Sequence, residues 1–468
     1  MPAKEKQTSD SGNTANGNNM NSKSDFTAKK RKFHSFVKKT IASIDDEDTQ
    51  IEPHFQRKIT LIFIALHVAA FVQSVGFFIQ NTSYPYLTKS LGVNPQVYGY
   101  TISFHAIMNL IGGPICGWAS DIYGGRLTLI IAFVMLMISY FMLGVARTIP
   151  MLFLAKVPRI AAHPLQSMYI IISDITYPEG RADMMGKLGV SSGLGMIVGS
   201  GIGGFITSHF GNRIPFFVAI VVDVLCILVT LALIPRDTTH IREHLEPKRK
   251  NEESLEKIKC KEEEKKKSFL GIGELVAVTK RKHMIYLLTI KIITAFPFSV
   301  LSAMFTLLLM DYYKLSPKEN GMVLSYLGVV GMITQGYLIG LFCRHVSDGP
   351  LIIISTITMA VGFLYLIIAE SIYVFCLTCI PLTVGGSLLH IVTTSIITKV
   401  VKKEETGSAL GVTLCTHSSI RSVAPTIGGF LFQHVGFYTF GVLGYGVNFL
   451  ITIYLLFFGR DDFSVGEL

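Results

Sequence analysis

Gly203-Gly204-Phe205-Ile206-Thr207-Ser208-His209-Phe210-Gly211 returns, 225 residues later, as Gly428-Gly429-Phe430-Leu431-Phe432-Gln433-His434-Val435-Gly436. Both copies read GGFxxxHxG. The same offset pairs Gly186 with Gly411 and Glu179 with Glu404, so one register extends well outside the motif. A chain that repeats by halves is read as two copies of one unit. Both copies lie in long apolar stretches, which makes each half a membrane-embedded unit. Paired membrane repeats are the architecture of secondary transporters, with cargo held between the repeats near the bilayer midplane.

Composition agrees. Half of the 468 residues are hydrophobic and 16% are charged, against about 25% charged in a typical soluble domain. Mean hydropathy is +0.48. Apolar runs long enough to cross a bilayer fall at about 59–80, 96–119, 127–147, 150–172, 188–208, 213–234, 284–310, 320–342, 350–369, 372–397, 408–433 and 436–458. The expected fold is therefore an all-α integral membrane protein, with twelve transmembrane helices in two pseudo-symmetric six-helix bundles. Residues 58–234 and 284–459 make the bundles, 235–283 a charged linker, 1–57 a disordered tail and 460–468 a short second tail.

The 42 basic residues exceed the 32 acidic ones, for a formal charge of +10. Their distribution points away from nucleic acid. They cluster in the N-terminal tail (Lys29, Lys30, Arg31, Lys32) and the linker (Lys248, Arg249, Lys250, Lys265, Lys266, Lys267). Cytosolic segments collect such residues, so both tails and the linker are expected in the cytosol, in the plasma membrane or an endomembrane. The first apolar run begins too late and runs too long for a cleavable leader, and is expected to anchor the chain. Cys376-Leu377-Thr378-Cys379 has metal-like spacing but stands alone in an apolar helix, where Cys serves as a small buried hydrophobe. The sequon Asn81-Thr82-Ser83 lies too close to the bilayer to be glycosylated. No Walker A sequence, nucleophile elbow or HExxH is present. The expectation is a protein that is not an enzyme, with neither cofactor nor metal, working as a monomer on a small-molecule cargo and on protons.

Gly117-Trp118-Ala119-Ser120-Asp121-Ile122-Tyr123-Gly124-Gly125-Arg126, between the second and third spans, resembles the GxxxDxxGxR signature of the major facilitator superfamily. Gly125 departs from it, standing where that family often has a basic residue. The resemblance implies a latch in which Asp121 meets the start of the eleventh span and closes the cytosolic side, with Asp174 and Arg126 paired beside it as a charge relay and Arg181 flanking; two exposed loop charges are the alternative. The second half carries a worn copy, Gly340 to Arg344. In the fifth span Gly199-Ser200-Gly201-Ile202-Gly203-Gly204 is similar to the GPxxGG motif of antiporters, with Ser200 in place of Pro. The eleventh span keeps the proline in Pro425-Thr426-Ile427-Gly428-Gly429. Simple helix packing through small residues is the alternative for both. Further stretches, among them Tyr84-Pro85-Tyr86-Leu87 and Thr334-Gln335-Gly336, resemble organic cation transporter-like members of solute carrier family 22, of the drug:proton antiporter type. That resemblance implies proton-coupled efflux of organic cations or lipophilic drug-like molecules by alternating access.

Ionisable residues in a membrane span are functional candidates by default. Lys156, Arg159, His163 and Gln166 on the fourth span follow i, i+3, i+7 and i+10, one face of a continuous helix; for Lys156 the alternative is snorkelling to the interface. Lys291, His390, His417, Arg421 and Gln73 complete the expected cargo cavity, with Arg159 and Arg421 each contributing a cation to one centre. His105 adds a further titratable group. His67, His163 and Asp223 are the candidates for carrying a proton. A cavity with Lys156, Arg159, Lys291 and Arg421 suits anions or zwitterions, whereas the family resemblance points to cations; cations are the first expectation and anions or zwitterions the alternative. A membrane scaffold or sensor that kept the fold is the reading from another class, and buried charge on the fourth span argues against it.

Overall fold

The computed structural model describes residues 53–176, 181–236, 238, 282–401 and 406–458. Most of both tails and of the linker, and the pair Glu179 and Glu404, lie outside these residues. The first half comprises Pro53–Ser90, Pro95–Tyr123, Gly125–Gly144, a fourth span in three pieces, Arg181–Phe210 and Ile214–Leu233. The second comprises Lys282–Asp311, Pro317–Ile333 continued to His345, Asp348–Ile367, Ile372–Val400, Thr406–His434 and Tyr438–Phe458. These are the first to sixth and seventh to twelfth spans: two six-helix bundles, as the repeat requires.

Every fixed position of GGFxxxHxG has a structural reason, and it is the same reason twice. The first glycine of each doublet packs inside its own half. A methyl group at Gly203 would stand 2.7 Å from the Ile79 Cα on the first span, and one at Gly428 would stand 2.8 Å from Met304 Cγ on the seventh. The second glycine faces the other half. A methyl at Gly204 would stand 2.5 Å from the Pro317 carbonyl oxygen on the eighth span, and one at Gly429 would stand 2.5 Å from that of Pro95 on the second. One turn on, the histidine packs against the phenylalanine of its own copy, with ring centroids 4.3 Å apart for Phe205 and His209 and 4.6 Å for Phe430 and His434. Gly211 and Gly436 end the two helices at φ of +89° and +100°, a region only glycine enters freely.

The partner surfaces repeat as well, in a register that the sequence reading missed. Asn94-Pro95 through Gly99 to Ser103 corresponds to Ser316-Pro317 through Gly321 to Ser325, 222 residues later. Asn94 caps the second span by accepting from Val97 N at 2.8 Å, and Ser316 caps the eighth in a capping box with Glu319. Backbone amides just inside these caps donate across the seam, Gln96 N to Gln433 Oε1 and Lys318 N to Ser208 Oγ, each at 3.1 Å. Ser103 Oγ accepts from Thr426 N at 3.1 Å, and Ser325 Oγ donates to the Ile197 carbonyl at 2.7 Å. Lys89 and Asp311 form an ion pair at the same end. The two halves are therefore zipped at the end where the second and eighth spans begin. At the other end they stand apart among the described residues: methyl groups at Gly186, Gly189 and Gly193 on the fifth span, or at Gly331, Gly336 and Gly340 on the eighth, would meet none of these within 4 Å.

Two expectations need correction. The first span does not end near residue 80 but runs to Ser90. The polar triplet that masks this, Asn81-Thr82-Ser83, is tolerated because Thr82 and Ser83 donate to the Phe78 and Ile79 carbonyls at 2.9 and 3.0 Å. The fourth span is not one helix. It breaks into Ile149–Leu154, a 3₁₀ turn Val157–Ala161 and Pro164–Ile175. Pro150, Pro158 and Pro164 each sit at the start of a piece, where the missing amide costs nothing. The stripe of four residues on one continuous face is thereby undone. Nine segments among the described residues are by themselves long and apolar enough to cross a membrane. The second, fourth and eleventh spans fall short, and these carry His105, Lys156, Arg159, His417 and Arg421.

A central cavity with basic walls

The break in the fourth span is built into the second. Gly112 has no side chain because the Ile160 carbonyl lies against it, and a methyl there would also stand 2.6 Å from His163 Nε2. Gln166 Nε2 donates to the Gly113 carbonyl at 3.0 Å, so its amide joins the second and fourth spans. Lys156 and Arg159, at the break, are each 4% exposed. Lys156 Nζ lies 3.9 Å above the Tyr84 ring, rather than reaching an interface. Arg159 Nε donates to Ser139 Oγ at 3.2 Å, and its guanidinium lies 5.1 Å from the Tyr140 ring centroid. Asp223, 1% exposed, has an Oδ2 with no hydrogen-bond partner among the described residues. His105 sits between the halves. Its Nε2 meets Asn109 Nδ2 at 3.1 Å, and its Nδ1 has no hydrogen-bond partner among the described residues.

The second half lines a cavity of about 350 Å³. Its wall includes Lys291, Gln335, His390 and His417 with Phe298, Ser299, Met359 and Ser387. Lys291 Nζ donates to Thr394 Oγ1 at 2.8 Å. The His390 and His417 rings are 5.4 Å apart and nearly perpendicular, at 78°. Arg421 is exposed one turn beyond His417. Sequence reasoning missed Ser299, Ser387 and Thr394, ordinary hydroxyls in apolar helices. It passed over the reason for Gln335, which lies on a π-helical turn, Thr334–Leu338. Such turns splay a helix and often mark working sites; the glycine after Gln335 was the available signal.

The remaining candidates are dispersed. Gln73 is half-buried on the first span. His67 Nδ1 is bonded to Ser191 Oγ at 2.7 Å, tying the first span to the fifth. Asp121 is exposed at the parted end. Gly124 takes φ +80° to turn the second span into the third. Gly125, the departure from the signature, is buried where a methyl would stand 2.6 Å from Ile171 Cγ1. Gly117 abuts the Gln166 amide. Arg126 Nη2 donates to the Leu231 carbonyl at 2.9 Å, Asp174 accepts from Thr238 at 2.7 Å, and Arg181 Nε donates to the Thr176 carbonyl at 3.3 Å. Gly199 packs its backbone on Val75 of the first span, and Pro425 offers its carbonyl side to Gly99 across the seam.

Two repeated bundles, zipped at one end and parted at the other, with a cavity in the second, are the architecture of a secondary transporter. The chain belongs to the Major Facilitator Superfamily, whose model matches residues 66–340 and 287–467. It is a multi-pass membrane transporter and not an enzyme. Solute carrier family 22 member 18 of Mus musculus is 28% identical over 400 residues, covering 84% of this chain and 95% of the mouse protein. Multidrug resistance protein 1 of Bacillus subtilis (strain 168) is 26% identical over 381 residues, 81% of this chain and 91% of that protein. Among solved structures, the nucleoside transporter NupG superposes with a TM-score of 0.66 at 13% identity, over 86% of this chain and 99% of the other. That likeness shows the fold.

Proposed function

We propose that this transporter carries lipophilic organic molecules bearing an anionic or zwitterionic group, by alternating access around the central cavity. One observation carries the reading: Lys291 is the charged side chain among the residues that line the cavity, and no carboxylate lines it among the described residues. A cation entering would meet this charge at short range and low dielectric, where repulsion is strong. Proton-coupled export of organic cations is the second reading. It is supported by similarity to Multidrug resistance protein 1 and by the unpartnered carboxylate oxygen of Asp223, a place for a proton in the first half. On either reading the basic tails and linker lie in the cytosol, so the parted end faces inward and 58–234 and 284–459 move as the two rocking units.

The test is flux into proteoliposomes of the full chain, with matched anionic, zwitterionic and cationic probes of one aromatic body, with and without a pH gradient. Flux of the anionic or zwitterionic members alone is expected. Flux confined to the cationic member and driven by the gradient would replace the first reading with the second. A protein that moves none of them while folded is a scaffold.

A further inference from the structure

The cations of the two halves differ in what they are doing. In the first half, Lys156 is covered by the Tyr84 ring at 3.9 Å and Arg159 is held by Ser139 and Tyr140. Both are engaged within their own bundle. In the second half, Lys291 is equally shielded, at 2% exposure, but its ammonium is placed at the cavity wall by a single hydroxyl, Thr394 Oγ1. An ammonium has three donors, and no carboxylate pairs with Lys291 among the described residues. A buried cation without a counter-charge is costly, so the arrangement is completed by an anion arriving from the cavity. His390 and His417 stand on the same wall with their rings 5.4 Å apart. Held nearly perpendicular, they offer ring nitrogens along two directions to a group with several acceptor oxygens. Gln335 adds an amide from its π-helical turn, and Phe298 and Met359 supply apolar surface beside it.

We infer that Lys291, His390 and His417 form the head-group site for a carboxylate- or phosphate-bearing cargo whose aromatic-sized body lies against Phe298 and Met359. The site belongs to the second half alone, and Arg421, one turn past His417, steers approach rather than holding the anion. This rests on the anionic reading of the cavity and adds which residues hold the charge.

The test is equilibrium binding to the purified full chain in micelles, with three probes sharing one body: 2-naphthoate, neutral 2-naphthamide and 2-naphthylmethylammonium. A charge-assisted contact that the amide lacks should make 2-naphthoate bind at least about tenfold tighter than the amide. Lys291→Gln should abolish that ratio while the amide still binds, which also reports an intact cavity. Lys291→Arg should keep part of it, and His417→Gln should reduce it. Inorganic phosphate alone should compete only weakly, because it lacks the body. An anion preference that survives Lys291→Gln but disappears in Arg421→Gln would overturn this inference and leave the anionic reading standing. Equal binding of 2-naphthoate and 2-naphthamide by the unaltered protein, with tighter binding of the ammonium probe, would remove both.

Discussion

Charge in hydrocarbon has to be shielded, and the individual residues show how differently that is done. Arg159 and Arg421 read alike in the sequence, one cation from each half. In the structure Arg159 is 4% exposed beneath Tyr140 and bonded to Ser139, while Arg421 is exposed. Arg159→Gln is therefore expected to lower thermal stability by about 1–2 kcal/mol, the worth of a desolvated cation–π contact, and to leave the order of preferred cargo unchanged. Arg421→Gln should leave stability unchanged and slow uptake of the anionic probe without abolishing its preference. Thermal unfolding in detergent, set beside flux of the probe panel, checks both; a cargo order altered by Arg159→Gln at unchanged stability would return that residue to the cavity. Gly112 is a harsher case. With the Ile160 carbonyl and His163 Nε2 packed against its Cα, Gly112→Ala overpacks the break in the fourth span. Overpacking costs about 1–3 kcal/mol, so yield of folded protein and its unfolding temperature should both fall. Normal values would mean that the break is free to shift. These residue types were legible in the sequence. Their orientations were not, because a helical face assumes a continuous helix, and Pro158 and Pro164 interrupt it just where the face was counted.

Among the elements, the helix pairs that cross between halves explain why one motif recurs and another went unseen. GGFxxxHxG keeps five of its nine residues because each of the five meets a separate need, from own-half and cross-seam contact to ring packing and the helix stop. Its counterpart on the second and eighth spans needs only a cap, a proline, a glycine and a serine. Asn94 and Ser316 cap equally well, and Tyr98 and Asn320 occupy matching places without resembling each other. Comparison by residue identity passes over such a repeat, whereas comparison by role finds it. The symmetry makes a demanding prediction. A methyl at Gly204 and one at Gly429 meet backbone carbonyl oxygens at the same 2.5 Å, and backbone yields only by moving the helix. Gly204→Ala and Gly429→Ala should each open the zipped end, by amounts alike within a factor of about three. With overpacking of about 1–3 kcal/mol, the opened population rises about fivefold to a hundredfold. A cysteine in place of Ser103, which lies under Thr426 in the closed seam, reports this through its labelling by an impermeant thiol reagent in a background without the native cysteines. If only one of the two glycines raises labelling, the seams are not equivalent and one of them is the hinge.

For the whole molecule, the 225-residue repeat conveys two bundles, and the shortfall of the second, fourth and eleventh spans in apolar length conveys where the water is. What no single sequence displays is which of the alternating states the chain rests in, since that is a balance of a few kcal/mol between two sets of contacts. Here the zipped end holds the inter-half hydrogen bonds, and Asp121 is exposed at the parted end. To close that end the halves must rock until the second span's loop meets the start of the eleventh, near Gly407. We propose that in that closed form Asp121 faces the positive terminus of a helix, a contact worth about 0.3–2 kcal/mol. Asp121→Asn removes it from one state only, and so favours the parted form by up to about thirtyfold. Gln335 lies on the cavity wall and is exposed in this parted form, and closing the parted end is expected to shield it. A Gln335→Cys reporter should therefore be labelled faster in Asp121→Asn than in its parent, and transport should slow because each cycle must pass through the weakened state. The sign follows from the geometry, since only the closed state holds the contact. Unchanged labelling with unchanged transport would show that Asp121 contributes nothing to closure, and that Arg126, anchored on the Leu231 carbonyl, stiffens the loop without latching it.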